Sequence, residues 1–229
     1  MHWYDIIENF DFLMNGLALT LQVALIAITG SLILGVLLGV VRNSKLAPFN
    51  WIATAYIEII RSIPLIFFIV FVHFGLLPYL FGESSSVFLS SCVALIIFTT
   101  AYMAEITRAG LKSVEKGYVD AARSLGLSYF QRLRYIVLPI ALSMMTPAFV
   151  SQSTSLIKDT SLASIIGLVE LTRSGEIIYE RTYHELEILI FIALIYFLIC
   201  SGLSFVSKKL EFGKFNCEQL NLYTQAENG

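Results

Sequence analysis

Polar side chains that could bind a charged ligand lie inside apolar stretches of this 229-residue chain. Gln152, Ser153 and Thr154 could hold the ammonium or carboxylate group of a ligand, although hydroxyls in a helix also bond to carbonyls of their own backbone. Glu105 is followed about one helical turn later by Arg108, and this spacing favours either an interfacial salt bridge or a ligand contact. Because a charge at the centre of a bilayer costs about 2.5–3.5 kcal/mol on insertion scales, these positions are candidates for function.

No catalytic or nucleotide-binding pattern accompanies these residues. The sequence contains no G-x-x-x-x-G-K-[ST] phosphate loop, since Gly213-Lys214 is followed by Phe215 and lacks the upstream glycine. We therefore expect that the chain does not hydrolyse ATP itself and binds no cofactor or metal. The three histidines, His2, His73 and His184, are far apart in the sequence. His73 lies inside an apolar run and is expected to be either a packed, hydrogen-bonded residue or a pathway residue.

The composition is that of a membrane protein. Hydrophobic residues make up 57% of the chain and charged residues only 14%, whereas a soluble domain is about 25% charged. The net charge of −2 gives no indication of nucleic-acid binding. The first twelve residues contain three acids and no Lys or Arg. They lack the basic region of a cleaved signal peptide, so the first apolar run is expected to stay in the mature protein.

Five windows without charged side chains are long enough to cross a bilayer, which requires about 20 apolar residues. They are residues 12–41, 62–82, 84–104, 135–157 and 188–207. A tight turn is expected at Gly82-Glu83-Ser84. Residues 46–61 form either an interfacial helix, held by Trp51 and Tyr56, or an extension of the second span. We expect one transmembrane domain over 1–211, followed by a polar cytoplasmic tail over 212–229 to which no role is assigned.

The distribution of basic residues predicts the orientation of these spans. Eleven of the 15 Lys and Arg residues follow the first span, lie between the third and fourth, or follow the fifth. Basic residues accumulate on the cytoplasmic side of membrane proteins. The predicted fold is therefore an all-α membrane protein with five transmembrane helices, its N-terminus outside and its C-terminus inside.

Small residues and one proline mark specific points of the spans. Ser31, Gly35 and Gly39 recur every four residues, a spacing that allows close helix contact either within this chain or with another subunit. Pro147 lies inside the fourth span and is expected to kink it, because proline lacks the backbone donor.

The long cytoplasmic loop between the third and fourth spans contains a pattern typical of a helix end. A helix is expected from about Tyr118 to Leu125. Gly126 suits the left-handed position just beyond it, and Leu127 can then pack back on Ala122. A simple loop between two spans would not require a motif that terminates a helix at a defined residue.

A second helix is expected to begin directly after this stop. Ser128 with Gln131 three residues later forms a capping box, and the helix then runs through Ile136 towards Pro139. A helix-turn-helix that reads DNA is disfavoured, because both ends of this unit join membrane spans. The two short helices and the turn between them form a rigid elbow, which predicts a docking element for a cytoplasmic partner. The small Ala121 and Ala122 would allow a close approach.

Several segments resemble a known family. Asp120-Ala121-Ala122, Gly126 and Ile136–Pro139 resemble the EAA signature of ABC-importer permease subunits, with Asp in place of the usual Glu. Further similarity to the polar amino-acid uptake branch extends over nearly the whole chain, about residues 12–211. It is carried by Tyr56–Leu65, Ala101–Ile106 and Leu156–Leu162.

The resemblance implies partners and a role for the elbow. The elbow would be the coupling helix, seated in a cleft of an ATP-hydrolysing subunit, with residues Asp120, Ala121, Ala122, Arg123, Ser124, Leu125, Gly126, Leu127 and Ser128. Two ATPase subunits would carry ATP and Mg, and a second permease subunit, identical or paralogous, would complete the path in a bacterial plasma membrane. An outer substrate-binding protein would dock on the segment 158–187, where residues 163–178 have the length of a helix along the outer surface.

The resemblance also implies a path for an amino acid. Lys158-Asp159-Thr160-Ser161 is expected at the outer end of the fourth span, where the family lines its cavity. The expected path residues are Tyr102, Glu105, Gln152, Thr154, Lys158, Asp159, Thr160 and Ser161. Asp159 is the preferred contact for substrate or gating, and a structural Lys158–Asp159 pair is the alternative. Glutamine or an acidic amino acid is the expected substrate. A self-contained channel or ion-coupled carrier is the alternative function, and the capped elbow argues against it.

Overall fold

The computed structural model describes residues 3–44, 47–82 and 86–205, and over these residues the chain is helical with no strand. Two short π-helical turns, at Val72–Leu76 and Leu133–Val137, and a 3-10 helix at Thr160–Ile166 connect the α-helices. The α-helices are α1 (Tyr4–Glu8), α2 (Phe10–Asn43), α3 (Ala47–Ser62), α4 (Leu65–Phe71), α5 (Leu77–Phe81), α6 (Val87–Lys112), α7 (Lys116–Ser124), α8 (Tyr129–Arg132), α9 (Leu138–Asp159), α10 (Leu171–Thr182) and α11 (Glu185–Phe205).

Four helical stretches of the described chain are long and apolar enough to cross a membrane. They are Phe10–Asn43, Val87–Lys112, Tyr129–Ile166 and Glu185–Phe205, and the bent pair Ala47–Ser62 and Leu65–Phe81 brings the number to five if it forms one span. The predicted all-helical membrane fold is confirmed. The number of crossings and the orientation of the chain stay predictions.

Residues 47–62 form a helix of their own, because the chain bends by 105° between α3 and the helix that follows it. The break coincides with Pro64, whose extended backbone (φ −61°, ψ 134°) precedes the first residue of α4. Proline disfavours helical backbone in the residue before it, which accounts for the end of α3. α3 is therefore not a straight continuation of the helix that follows it, and both alternatives for residues 46–61 stay predictions. Trp51 lies on the outward face of α3 and is 75% exposed.

The regularly spaced small residues of α2 pack against α6 of the same chain. A Cβ atom added to Gly35 would lie 2.3 Å from Cβ of Met103, and one added to Gly39 would lie 2.5 Å from Cβ of Thr107. Contacts of this kind fix two helices at the distance that only glycine allows. Since both residue numbers increase together, α2 and α6 run in the same direction. Of the two predicted alternatives, packing within this chain is therefore confirmed.

The segment after α9 differs from the predicted outer helix over 163–178. The helical path continues from α9 through the 3-10 turn and stops at Gly167, which has a positive φ of 91°. A separate helix, α10, then begins at Leu171. The left-handed conformation of Gly167 suits a residue without a Cβ atom and turns the chain between the two helices.

α10 lies alongside the first half of α2 and runs antiparallel to it. The Glu170 carboxylate lies 3.3 Å from the Thr20 hydroxyl, and the Arg181 guanidinium donates to the Asn9 side chain at 2.7 Å. Ser174, between these points, packs directly against Gly16. Lys158 to Ser161 lie near the end of the apolar stretch Tyr129–Ile166, and their position at the outer end of the fourth span stays a prediction.

Some sequence expectations lie outside the described residues. Among them are the turn residues Glu83 and Ser84, the basic residues Lys208, Lys209 and Lys214, and the tail over 212–229. Gly82, directly before that turn, has a positive φ of 80°. Pro147 lies inside α9, which runs through it as one helix.

Candidate functional site

The elbow between α6 and α9 has the predicted geometry at its helix stop. α7 ends at Ser124, and Gly126 has a positive φ of 75°. The amide of Leu127 donates to the Ala122 carbonyl at 3.2 Å, and the amide of Gly126 donates to the Arg123 carbonyl at 3.0 Å. These two bonds close the end of α7 in the manner of a Schellman motif. The predicted helix stop is confirmed.

The capping box that starts the second helix is also present. The Ser128 amide donates to the Gln131 side chain at 2.8 Å, and the Gln131 amide donates to the Ser128 hydroxyl at 3.4 Å. The Arg132 guanidinium bonds to the Leu127 carbonyl at 2.9 Å, which ties the two helices together. The helical path continues through the π-turn into α9, so the elbow is built directly onto a long apolar helix.

The elbow presents large apolar side chains to its surroundings. Tyr118, Leu125, Tyr129, Phe130 and Tyr135 are each more than half exposed. Exposed aromatic clusters of this kind mark interaction surfaces. Asp120 and Ala121 are exposed, whereas Ala122 is only 1% exposed and packs inside the chain. α7 packs against α8 and the π-helical turn, so Ala122 is buried within the elbow itself, and its contact with a partner stays a prediction.

Glu105 takes part in a network of charges where α2, α3 and α6 meet. Its carboxylate bonds to both Arg42 and Arg108, and the Arg42 guanidinium also bonds to Glu58 at 3.0 Å. Each of these groups has an opposite charge at hydrogen-bonding distance. The salt-bridge alternative is the one that the structure contains: Glu105 connects α6 to α2, and Arg42 extends the connection to α3 through Glu58.

Tyr102 lies next to this network and belongs to an aromatic stack. Its ring centroid is 5.3 Å from that of Phe98, and the guanidinium carbon of Arg61 lies 5.3 Å from the Tyr102 centroid. The geometry is that of a cation–π contact. Tyr102 therefore contributes to the packing of α3 against α6.

The hydroxyls of the expected path bond to their own helix. Thr154 donates to the Val150 carbonyl, Thr160 to the Ile157 carbonyl and Ser161 to the Lys158 carbonyl, at 2.7–2.9 Å. This is the alternative that the sequence left open for such residues. A hydroxyl oxygen retains acceptor capacity in this arrangement, so it can still receive a bond from an ammonium group.

Two clefts adjoin the end of α9, and they divide the expected path residues. Thr154 and Lys158 line a cleft of about 400 Å³ together with Cys200, Ser201 and Ser204 of α11. Ser161 lines a different cleft of about 610 Å³, between the 3-10 turn and α10. Gln152 and Asp159 are half-buried. The two ends of the run Lys158–Ser161 therefore line different clefts.

His73 has the packed role that the sequence allowed. Its Nδ1 atom lies 2.8 Å from the Ser90 hydroxyl of α6, and its ring lies edge-on to that of Phe74. The hydrogen bond joins the π-helical turn to α6.

Glu170 is a buried carboxylate that sequence reasoning did not single out. Its side chain caps α10 by accepting from the amides of Thr172 and Arg173, both at 2.9 Å. It also accepts from the Tyr196 hydroxyl of α11 at 3.0 Å and lies 3.3 Å from the Thr20 hydroxyl of α2. Burial raises the pKa of Glu170, and these hydrogen bonds oppose the rise.

Comparison with known proteins gives one consistent result over about nine-tenths of the chain. The family model described as "Binding-protein-dependent transport system inner membrane component" matches residues 7–213. The chain is 40% identical over 207 residues to the probable glutamine ABC transporter permease protein GlnP of Bacillus subtilis (strain 168), covering 89% of this chain and 94% of that protein. It is 36% identical over 210 residues to the glutamine transport system permease protein GlnP of Escherichia coli (strain K12), covering 91% and 95% of the two chains.

Solved structures give the same fold. A chain from the crystal structure of an amino acid ABC transporter with histidines matches with a TM-score of 0.85 and 31% sequence identity, covering 92% of this chain and 98% of that one. A chain of the MetNI methionine ABC transporter, in an inward-facing conformation, matches with a TM-score of 0.71. Its identity is only 19%, so this second match supports the fold alone.

Proposed function

The chain belongs to the family of binding-protein-dependent transport system inner membrane components, and on this premise we propose that it forms the translocation path of an ATP-driven importer of polar amino acids. It is a permease subunit of an amino-acid ABC importer, and the relatives that it matches are named as permease subunits. The proposal adds how transport is driven, which partners assemble with the chain, and where the substrate passes.

The proposal rests on the rigid geometry of the elbow between α6 and α9. Gly126 and the Ser128–Gln131 capping box fix two short helices in one arrangement, and aromatic side chains remain exposed on them. A rigid unit joined directly to α9 can transmit force from a partner into a membrane helix. We assign residues 120–128 to contact with an ATPase subunit. ATP and Mg would be bound by two such subunits.

The substrate path is proposed at the end of α9. Lys158 supplies a cation for an α-carboxylate, and Asp159 supplies an anion for an α-ammonium group. The Thr154 hydroxyl, in the same cleft as Lys158, and the Ser161 hydroxyl, in the other cleft, retain acceptor capacity for polar contacts, whereas Thr160 has no exposed surface. Gln152 lies on the same helix and would meet the side chain of the substrate. Glutamine and the acidic amino acids are the proposed substrates, because relatives named for glutamine and for glutamate/aspartate transport are among the matches.

The assembly would contain a second permease subunit, identical or paralogous, and an outer substrate-binding protein. Family membership supports both partners, and the several apolar helices support a multi-pass protein of the bacterial inner membrane. By the distribution of basic residues, the elbow would face the cytoplasm.

A competition uptake assay tests the substrate class. Vesicles that contain the complete transporter and its binding protein should import one radiolabelled polar amino acid, and unlabelled molecules of the same class should compete best. Uptake restricted to sugars or inorganic ions would contradict the proposal. A self-contained channel or carrier would be indicated if the chain purified without any ATPase and still transported solute.

A further inference from the structure

An ion pair lies on the face of α10 that is turned away from α2. The Arg173 guanidinium lies 2.9 Å from Glu176 and 3.6 Å from Glu180. The side chains of Arg173 and Glu176 are 35% and 27% exposed, so both charges remain accessible to a ligand. One guanidinium faces two carboxylates, and the cation therefore cannot neutralise both acids.

The pair lies beside the first third of α2, one of the helices that are apolar enough to cross a membrane. Ser174, the next residue after Arg173, packs against Gly16, which is six residues from the start of α2 at Phe10. At about 1.5 Å per residue, this is about 9 Å along the apolar helix. Ionisable residues packed among membrane helices commonly face the protein interior or a water-filled cavity.

The space in front of the pair leads to the end of α9. Arg173, Glu176 and Thr172 form one wall of the cleft of about 610 Å³, and Ser161 and Leu162 form part of the opposite wall. Glu170 holds the α10 wall in place, since its carboxylate accepts from the amides of both Thr172 and Arg173. The position of the Arg173 backbone is therefore fixed by a buried cap.

We propose that Arg173 and Glu176 form a subsite for a free amino acid in the cleft that Ser161 also lines. The inference rests on the proposed import of amino acids and adds a second position on the path. A zwitterion matches the cleft, because its carboxylate can bond to the planar guanidinium of Arg173 in the bidentate manner. Its ammonium group can bond to the Glu176 carboxylate, which lines the same cleft.

The test uses the complete transporter in proteoliposomes, with its ATPase subunits and binding protein. Radiolabelled glutamine, glutamate and arginine are offered separately, and the probe is whichever the wild type imports. In the double variant R173Q/E176Q, both charges are lost while the side chains keep nearly the same shape. Its initial uptake rate should fall at least fivefold. The matched control, D11N/K112Q, removes one anion and one cation that are exposed and lie outside the cleft, and it should import at the wild-type rate.

A second variant separates ligand binding from a structural salt bridge. R173E/E176R keeps an ion pair but exchanges the positions of the charges, so its uptake should stay at least fivefold below that of the wild type. Wild-type uptake in either double variant would overturn the subsite. Loss of the assembled complex in R173Q/E176Q, seen by size-exclusion chromatography, would assign the pair to a subunit contact and would also overturn it.

Failure of the proposed function gives a different result. A wild-type transporter that imports no amino acid in the presence of ATP overturns both the function and the subsite that rests on it. Normal amino-acid import by the wild type and by R173Q/E176Q overturns the subsite alone.

Discussion

The Tyr196 hydroxyl of α11 donates to the buried carboxylate of Glu170 at 3.0 Å. The same carboxylate caps α10 and lies beside Thr20 of α2, so one side chain connects three helices. Glu170 has no exposed surface. A buried polar group with this many partners fixes a single arrangement of its neighbours, because any other arrangement leaves donors unpaired.

Removal of this carboxylate should destabilise the protein. In Glu170→Ala, the amides of Thr172 and Arg173 and the Tyr196 hydroxyl lose their common acceptor, and the cost should be at least about 2 kcal/mol. Thermal unfolding in detergent should show a lower midpoint by several degrees. Glu180→Ala, which removes a mostly exposed acid from the same helix, is the control and should change stability by less than about 0.5 kcal/mol. Equal midpoints for the two variants would contradict the role of Glu170.

The sequence allowed prediction of structure where the determining residues are neighbours. Gly126 and the pair Ser128–Gln131 act within a few residues, and the structure contains the stop and the cap that their types predict. Gly167 is a similar local indication of a helix end, since a glycine inside the window 163–178 argues against one continuous helix. That window was also too long because Glu170 starts a new helix.

The connections made by Glu170 could not be predicted from local patterns. Its partners Thr20 and Tyr196 lie 150 and 26 residues away along the chain. Similarly, the roles of Glu105 and Tyr102 depend on Arg42 and Arg61, which come from other helices. Hydropathy predicts which helices are apolar, but it does not determine which polar side chains meet between them.

The contact between α2 and α6 should tolerate no added side chain at Gly39. A Cβ atom at this position would lie 2.6 Å from the Ala104 carbonyl oxygen, and a backbone atom cannot move aside as a flexible side chain can. Gly39→Ala should therefore cost about 1–3 kcal/mol through overpacking. Gly202→Ala is the control, because no atom lies within 4 Å of the added methyl group. A Gly39→Ala midpoint at or above that of the control would show that the helices can separate freely.

The conformation of Gly126 should be required for coupling. A β-branched residue is strained at positive φ, so Gly126→Val should alter the elbow and uncouple ATP hydrolysis from transport while the membrane helices still insert. Gly117→Val adds the same bulk to the same segment at a position with open space and no positive φ. The ratio of amino acid transported to ATP hydrolysed, measured in proteoliposomes, should fall severalfold only in Gly126→Val. A wild-type ratio in that variant would refute the requirement.

Asp159 should affect transport more than assembly. Asp159→Asn keeps the size of the side chain and removes the charge proposed to meet the substrate ammonium group, so uptake should fall at least tenfold. Yield of the complex with its ATPase subunits should stay within twofold of the wild type. Asp11→Asn, at an exposed position in the first turn of α2, is the control for loss of one acid outside the path and should leave both uptake and assembly unchanged. Parallel losses of uptake and assembly in Asp159→Asn would indicate a folding role instead.

The dependence of uptake on the partner ATPase tests the central claim most directly. Proteoliposomes with the complete transporter and binding protein should accumulate a radiolabelled polar amino acid only when ATP is supplied, and omission of the ATPase subunits should reduce uptake to that of empty vesicles. Uptake that continued at the full rate without any ATPase subunit would contradict the account, because the chain would then transport its solute alone.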